Sequence, residues 1–109
     1  MFDSREFVIV FSTASSQEEA EKIAASLLEK RLAACVSISA PQQSWYLWQG
    51  RVHHDEERTL MIKTRARLFS EVEKDIRQNH SYEVPEVIAV AIVAGAAPYL
   101  NWLDEITIK

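Results

Sequence analysis

Five side chains of this 109-residue chain could together hold a small molecule: Trp48, Glu57, Lys63, Tyr82 and Glu83. A cation, two carboxylates, a phenol and an indole put charges of both signs beside an aromatic wall. A small-ligand cleft needs that combination, and in oligomers such clefts favour subunit interfaces. The same five residues serve equally well as a salt-bridge and hydrogen-bond network that locks an interface. Other candidates offer less. Ser12, Ser15 and Ser16 have no base at an identifiable spacing, so no nucleophile, base and orienting group for hydrolysis can be assembled from the sequence. His53 and His54 are adjacent, and neighbours on a strand point to opposite sides. His54 with Glu56, or His53 with Asp55 and Glu57, would be adventitious ligands on a solvated hairpin. Cys35 stands among Ala33, Ala34 and Val36 and is expected to be a small buried hydrophobe.

The elements that must position these groups alternate between strand and helix. Residues 7–11, FVIVF, form a continuous apolar run rich in β-branched side chains, as in a strand covered on both faces. Ser15 or Ser16 can cap the helix that follows, since Glu18 and Glu19 complete a capping box for each. Its inner face carries Ala20, Ile23, Ala24, Leu27 and Leu28 at helical spacing. Residues 32–38 return to strand character, and Pro41 interrupts them.

Residues 44–50, SWYLWQG, are the most unusual stretch. Alternation sends Trp45 and Leu47 to one face and Tyr46 and Trp48 to the other, so this strand is apolar on both sides. A single domain has one core to offer, and the second cover is expected from another copy of the chain. Gly50 permits the turn into residues 51–64, with Leu60, Met61 and Ile62 as the buried end. Thr64 is placed to cap a second helix that carries Leu68, Phe69, Val72 and Ile76 inward. Residues 87–94 are expected to be a buried strand, and Gly95 with Pro98 introduces a last helix holding Leu100, Trp102, Leu103 and Ile106.

The order is βαββαβ plus a terminal helix in one domain, residues 1–109. Such a chain forms an α+β, ferredoxin-like sandwich with both main helices on one side of an antiparallel sheet. One sheet face is left for the terminal helix or neighbouring subunits.

Composition limits the partners. The chain is 48% hydrophobic and 26% charged, with a net charge of −4, which argues against a phosphate backbone or an anionic membrane surface as its target. Acids at Asp3 and Glu6 interrupt the leading stretch, and no apolar run is long enough to span a bilayer, so neither a secretory leader nor a membrane segment is expected. The lone Cys35 allows no internal disulfide and suits a reducing, cytoplasmic setting.

Five strings in order, KRLAACVS (30–37), WYLWQG (45–50), LMIKT (60–64), HSYEVPEVIAV (80–90) and YLNWL (99–103), resemble the CutA family of divalent-cation-tolerance proteins. The resemblance runs from about Phe7 to Leu103. It implies a ferredoxin-like fold, a tight homotrimer, kinship with PII-like signalling proteins, a role in tolerance of copper or other divalent cations, and no enzymatic activity. Some members bind copper through one cysteine and two adjacent histidines. Those positions match Ser12, Asn79 and His80 here, so one imidazole remains where a copper site wants thiolate and several imidazoles. A trimeric scaffold that binds other proteins, and a hydrolase at the interface cleft, are the alternative functions.

Overall fold

The computed structural model describes residues 6–109, so Asp3 of the leading stretch lies outside the described residues. The elements are β1 (Phe7–Ala14), α1 (Gln17–Glu29), β2 (Cys35–Ile38), β3 (Gln42–Trp48), β4 (Arg51–Arg65), a 3₁₀ turn (Ala66–Leu68), α2 (Phe69–Asn79), β5 (Ile88–Ala91) and α3 (Ala97–Ile106). The ferredoxin-like sheet runs β2-β4-β1-β5. All its pairings are antiparallel. Three strands, not two, stand between α1 and α2. The additional one is β3, which pairs only with the outer half of β4, from Gln42 opposite Glu57 to Trp48 opposite Arg51.

β4 therefore serves three partners, with β2 on the other edge of its inner half. Its inner half, from Arg58 to Arg65, lies against β1, and its outer half forms the β3–β4 arm. Fifteen strand residues at roughly 3.3 Å each reach about 50 Å. That single strand accounts for the long dimension of the molecule, 47 Å against 26 and 24 Å. The arm closes with a two-residue turn in which Gln49 and Gly50 both take positive φ, 52° and 75°. Turns of this type match the right-handed twist of the flanking strands.

Alternation along β1 sorts the core. Val8, Val10 and Ala14 point to the helix side, where they meet Ala20, Ile23 and Leu27 of α1, Val72 and Ile76 of α2, and Leu60 and Ile62 of β4. Each such side chain contributes about 1.5–3 kcal/mol on burial. On the opposite face Phe7 joins Ala34, Leu100 and Leu103, so α3 covers one end of it. The rest of that face, including Met61, Ile88 and Val90, is open in the single chain.

Several sequence expectations change. Met61 points away from Leu60 and Ile62 and is exposed rather than part of the buried end. Residues 87–94 yield only the four-residue edge strand β5, with Ile88 54% exposed, because the sheet ends there and one side has no neighbour. Thr64 caps nothing. It lies within β4 and donates its hydroxyl to the Leu32 carbonyl at 2.6 Å, while α2 begins beyond the intervening 3₁₀ turn.

Helix α1 behaves as expected at its start, where Ser16 Oγ accepts the Glu19 amide at 3.1 Å. Its end is less ordinary. Leu32 N–H donates to the Leu27 carbonyl and Arg31 N–H to the Leu28 carbonyl, a Schellman arrangement with arginine, not glycine, in the left-handed position at φ 57°. That conformation costs an L-residue roughly 1–2 kcal/mol. The Arg31 guanidinium offsets it by donating to the carbonyls of Ile106 (2.7 Å) and Glu105 (3.1 Å), which ties the ends of α1 and α3 together.

The two main helices are joined through Asp75, which is 3% exposed and accepts from Ser26 Oγ at 2.8 Å and from Lys30 Nζ. Asn79 Nδ2 reaches the Asp75 carbonyl at 2.8 Å and Ser26 Oγ at 3.4 Å. Replacing Asp75 by alanine is expected to lower the urea midpoint by an amount equivalent to about 1.5–3 kcal/mol, at unchanged slope. Asp75→Asn, which keeps an acceptor for Ser26, should cost less. Equal midpoints for wild type and Asp75→Ala would show that the network adds nothing to stability.

Candidate functional site

The arm faces the irregular segment 80–86, and a cavity of about 820 Å³ lies between them. From the arm come Trp45, Tyr46, Trp48 and Glu57; from the segment come Tyr82 and Glu83. The aromatic strand positions its residues by cross-strand pairing. Trp45 stacks on His54 with ring centroids 4.4 Å apart, and Tyr46 on His53 at 5.5 Å, on opposite faces of the arm. His53 and His54 are thus each packed on an aromatic neighbour and do not face each other.

Two phenols close onto two carboxylates. Tyr82 Oη donates to Glu57 Oε2 at 2.8 Å, and Tyr46 Oη donates to Asp55. Burial of Tyr82, the hydrogen bond to Glu57 and the nearby negative charge hold its hydroxyl far above the ordinary tyrosine range. The Tyr46 hydroxyl is also raised, chiefly by its bond to Asp55.

Four of the five residues that the sequence brings together, Trp48, Glu57, Tyr82 and Glu83, line this cleft. Lys63 does not. It is six residues from Glu57 along β4, roughly 20 Å on a strand, and its Nζ lies over the Tyr99 ring at 5.8 Å. Tyr46 and Trp45 belong to the cleft but were absent from that set, although Tyr46 shares the face of Trp48 by simple alternation. Cys35 is half-buried and pairs with Lys63 across the sheet.

Segment 80–86 is held at its start by His80, whose side chain is fully buried. Its Nδ1 accepts the Tyr82 amide at 3.0 Å, which leaves Nε2 to donate to the Thr13 carbonyl at 2.6 Å. Glu19 supports the same turn by accepting the Ser81 amide at 2.7 Å and the Ser15 amide at 2.9 Å. Partial burial pushes the Glu19 carboxyl up, but these bonds and the neighbouring His80 outweigh it and leave the group below its usual range. Nothing in the sequence pointed to Glu19 beyond its capping role, because its second partner is 62 residues away.

Ser12, Asn79 and His80 do not assemble as ligands. Ser12 Oγ is buried on the helix side of β1 with no hydrogen-bond partner among the described residues. Asn79 is engaged with Asp75 and Ser26, and both nitrogens of His80 are taken. Among the described residues no three His, Cys, Asp or Glu side chains gather as a metal site.

With this geometry in place, the sequence matches the family model of the CutA1 divalent ion tolerance protein over residues 8–106. The chain belongs to the CutA1 family. A divalent-cation tolerance protein CutA of Archaeoglobus fulgidus is 43% identical over 96 residues, covering 88% of this chain and 93% of the relative. The chloroplastic CutA of Arabidopsis thaliana is 41% identical over 100 residues, covering 92% of this chain, which spans about half (55%) of the plant protein's length. Among solved structures, CutA1 from Oryza sativa superposes with a TM-score of 0.93 at 38% identity, over 95% of each chain. The Archaeoglobus fulgidus structure, described as a periplasmic divalent cation tolerance protein CutA, gives 0.89 at 41% identity over 92% of this chain and 97% of its own. No helix among the described residues is long and apolar enough to cross a membrane.

The Tyr82–Glu57 bond gives this CutA1 chain an alkaline signature. The native state keeps the Tyr82 proton at a pH where the unfolded chain has begun to lose it. This contribution is complete below about pH 10 and is lost as pH rises beyond it. Unfolding free energy measured from pH 8 to 11 should fall above about pH 10, and less steeply in Tyr82→Phe, with a residual slope from Tyr46. Identical slopes in wild type and Tyr82→Phe would remove Tyr82 as the source.

Proposed function

We propose that three copies of this chain assemble into a non-enzymatic cytoplasmic protein of divalent-cation tolerance, with the arm cleft placed between subunits. The observation that carries this reading is the apolar surface that one chain leaves open. On the arm Trp45 is 65% and Leu47 74% exposed, and the face of β1, β4 and β5 away from the helices adds Met61, Ile88 and Val90. Open apolar surface of this extent marks an interaction site. The family resemblance supplies the number three. Lys63 and Cys35 sit on that same open face, so their role is at the interface between copies and not in the cleft of their own chain.

A hydrolase is disfavoured by the commitments of the polar groups. The Ser12 hydroxyl faces the core away from any base, and His80 has no nitrogen to spare. The same commitments argue against a copper site at these three positions. A hydroxyl, an amide and a doubly hydrogen-bonded imidazole do not suit copper. The link to divalent cations then runs through some other part of the assembly.

Sedimentation at micromolar concentration is expected to give three chains per particle, with Trp48→Ala lowering both the trimer fraction and the melting temperature. A stable monomer would overturn the reading. Calorimetry with copper should show weak, non-stoichiometric binding that His80→Ala leaves nearly unchanged. One tight copper per subunit, lost in His80→Ala, would restore the site.

A further inference from the structure

Glu57 is 7% exposed, yet the described residues give it a single hydrogen bond, from Tyr82 to Oε2, and no cation. A buried carboxylate without a counter-charge is costly. Its surroundings increase the imbalance. The cleft is lined by Glu83 and Glu86 as well, and among the described residues by no lysine, arginine or histidine. Both phenols there have turned their hydroxyl protons onto carboxylates, Tyr82 onto Glu57 and Tyr46 onto Asp55. The cleft therefore offers a guest carboxylate oxygens and the π faces of Trp48 and the two tyrosines, and its remaining donors, on Thr13, Gln42, Ser44 and Thr59, are neutral. An anion finds no counter-charge among the described residues that line it. A bare metal ion fits poorly too, since no three ligating side chains gather anywhere among the described residues.

The geometry points to an organic ammonium ion as the guest of this cleft, its charge set against Glu57 and its carbon substituents against the Trp48 indole and the tyrosine rings. Aromatic faces attract such cations by about 0.5–2 kcal/mol each, most strongly where water is excluded. A volume of about 820 Å³ lies within the range of small-molecule sites. The inference rests on the trimer reading only in that a neighbouring copy would close the cleft's open side.

Choline and its uncharged isostere 3,3-dimethylbutan-1-ol separate charge from shape. Titrated into the full chain, whose sedimentation is measured in the same buffer, choline should change the tryptophan fluorescence saturably and raise the melting temperature. The alcohol should bind at least about tenfold more weakly, the factor worth 1.4 kcal/mol. Glu57→Gln keeps an acceptor for Tyr82 but drops the charge, and it should weaken choline by about tenfold or more. Should that variant fail to fold, the exposed pair Glu83→Gln with Glu86→Gln should give a smaller loss of the same sign. Equal binding of alcohol and choline would overturn the inference, as would choline binding indifferent to these variants, or no response of a trimeric sample to choline at tens of millimolar. Magnesium chloride alone producing the same Glu57-dependent shift would reassign the site to a hard cation and overturn it as well. Glu57-dependent choline binding by a protein that sediments as a monomer would sustain this inference while the trimer reading falls.

Discussion

A sheet has two faces, and this chain supplies its two main helices for only one of them. α1 and α2 pack on Val8, Val10, Leu60 and Ile62 and bury them. Among the described residues the other face receives only α3, which seats Leu100 and Leu103 against Phe7 and stops there. Helix packing is thus complete at the level of one chain, while sheet packing is not. That imbalance explains why a small protein can carry tryptophans in the open, and it places the polar cleft at the margin of the uncovered surface rather than within the core.

The polar groups divide along the same line. Where surroundings are closed, most are committed, Asp75 to Ser26 and Lys30, Thr64 to Leu32, and His80 to Thr13 and Tyr82, with the Ser12 hydroxyl left over. The cleft is where charge compensation runs short, with three carboxylates and, among the described residues, no cationic side chain in its lining. Glu19 links the two regimes, since one carboxylate holds the start of α1 and the start of segment 80–86. The position of Tyr82 over Glu57 is therefore set partly by the first turn of a helix on the far side of β1.

Much of this was legible in the sequence wherever the deciding interaction is local. Ser16 and Glu19 announce the start of α1, FVIVF announces β1, and the alternating aromatics of residues 44–50 announce a strand with two apolar faces. The cleft was legible in part, because Trp48, Glu57, Tyr82 and Glu83 converge as their chemistry suggested. Lys63 was misplaced for a reason of scale: residues on one face of one strand look like neighbours in the sequence, but six positions separate them by the width of a small domain. Thr64 was misread because a threonine ahead of an apolar helical pattern resembles a cap, and only the β4 pairing shows it to lie within a strand. The Asp75 network and the second role of Glu19 depend on pairs 45 to 62 residues apart, which local patterns do not encode.

β4 is one uninterrupted strand shared by the sheet and the arm, and continuity makes it a phase reference for both. A strand returns to the same face every second residue. Inserting one residue between Glu57 and Leu60 would leave either half free to keep its own ladder, yet it would turn the arm over relative to the sheet. Tyr46, Trp48 and Glu57 would then look toward the side where α1 and α2 lie, and Tyr82 would meet the back of the arm. Evolutionary tolerance of length change in this chain should accordingly be uneven: the tip at Gln49 and Gly50 can absorb residues in pairs, whereas the middle of β4 behaves like a gear tooth that cannot be added singly.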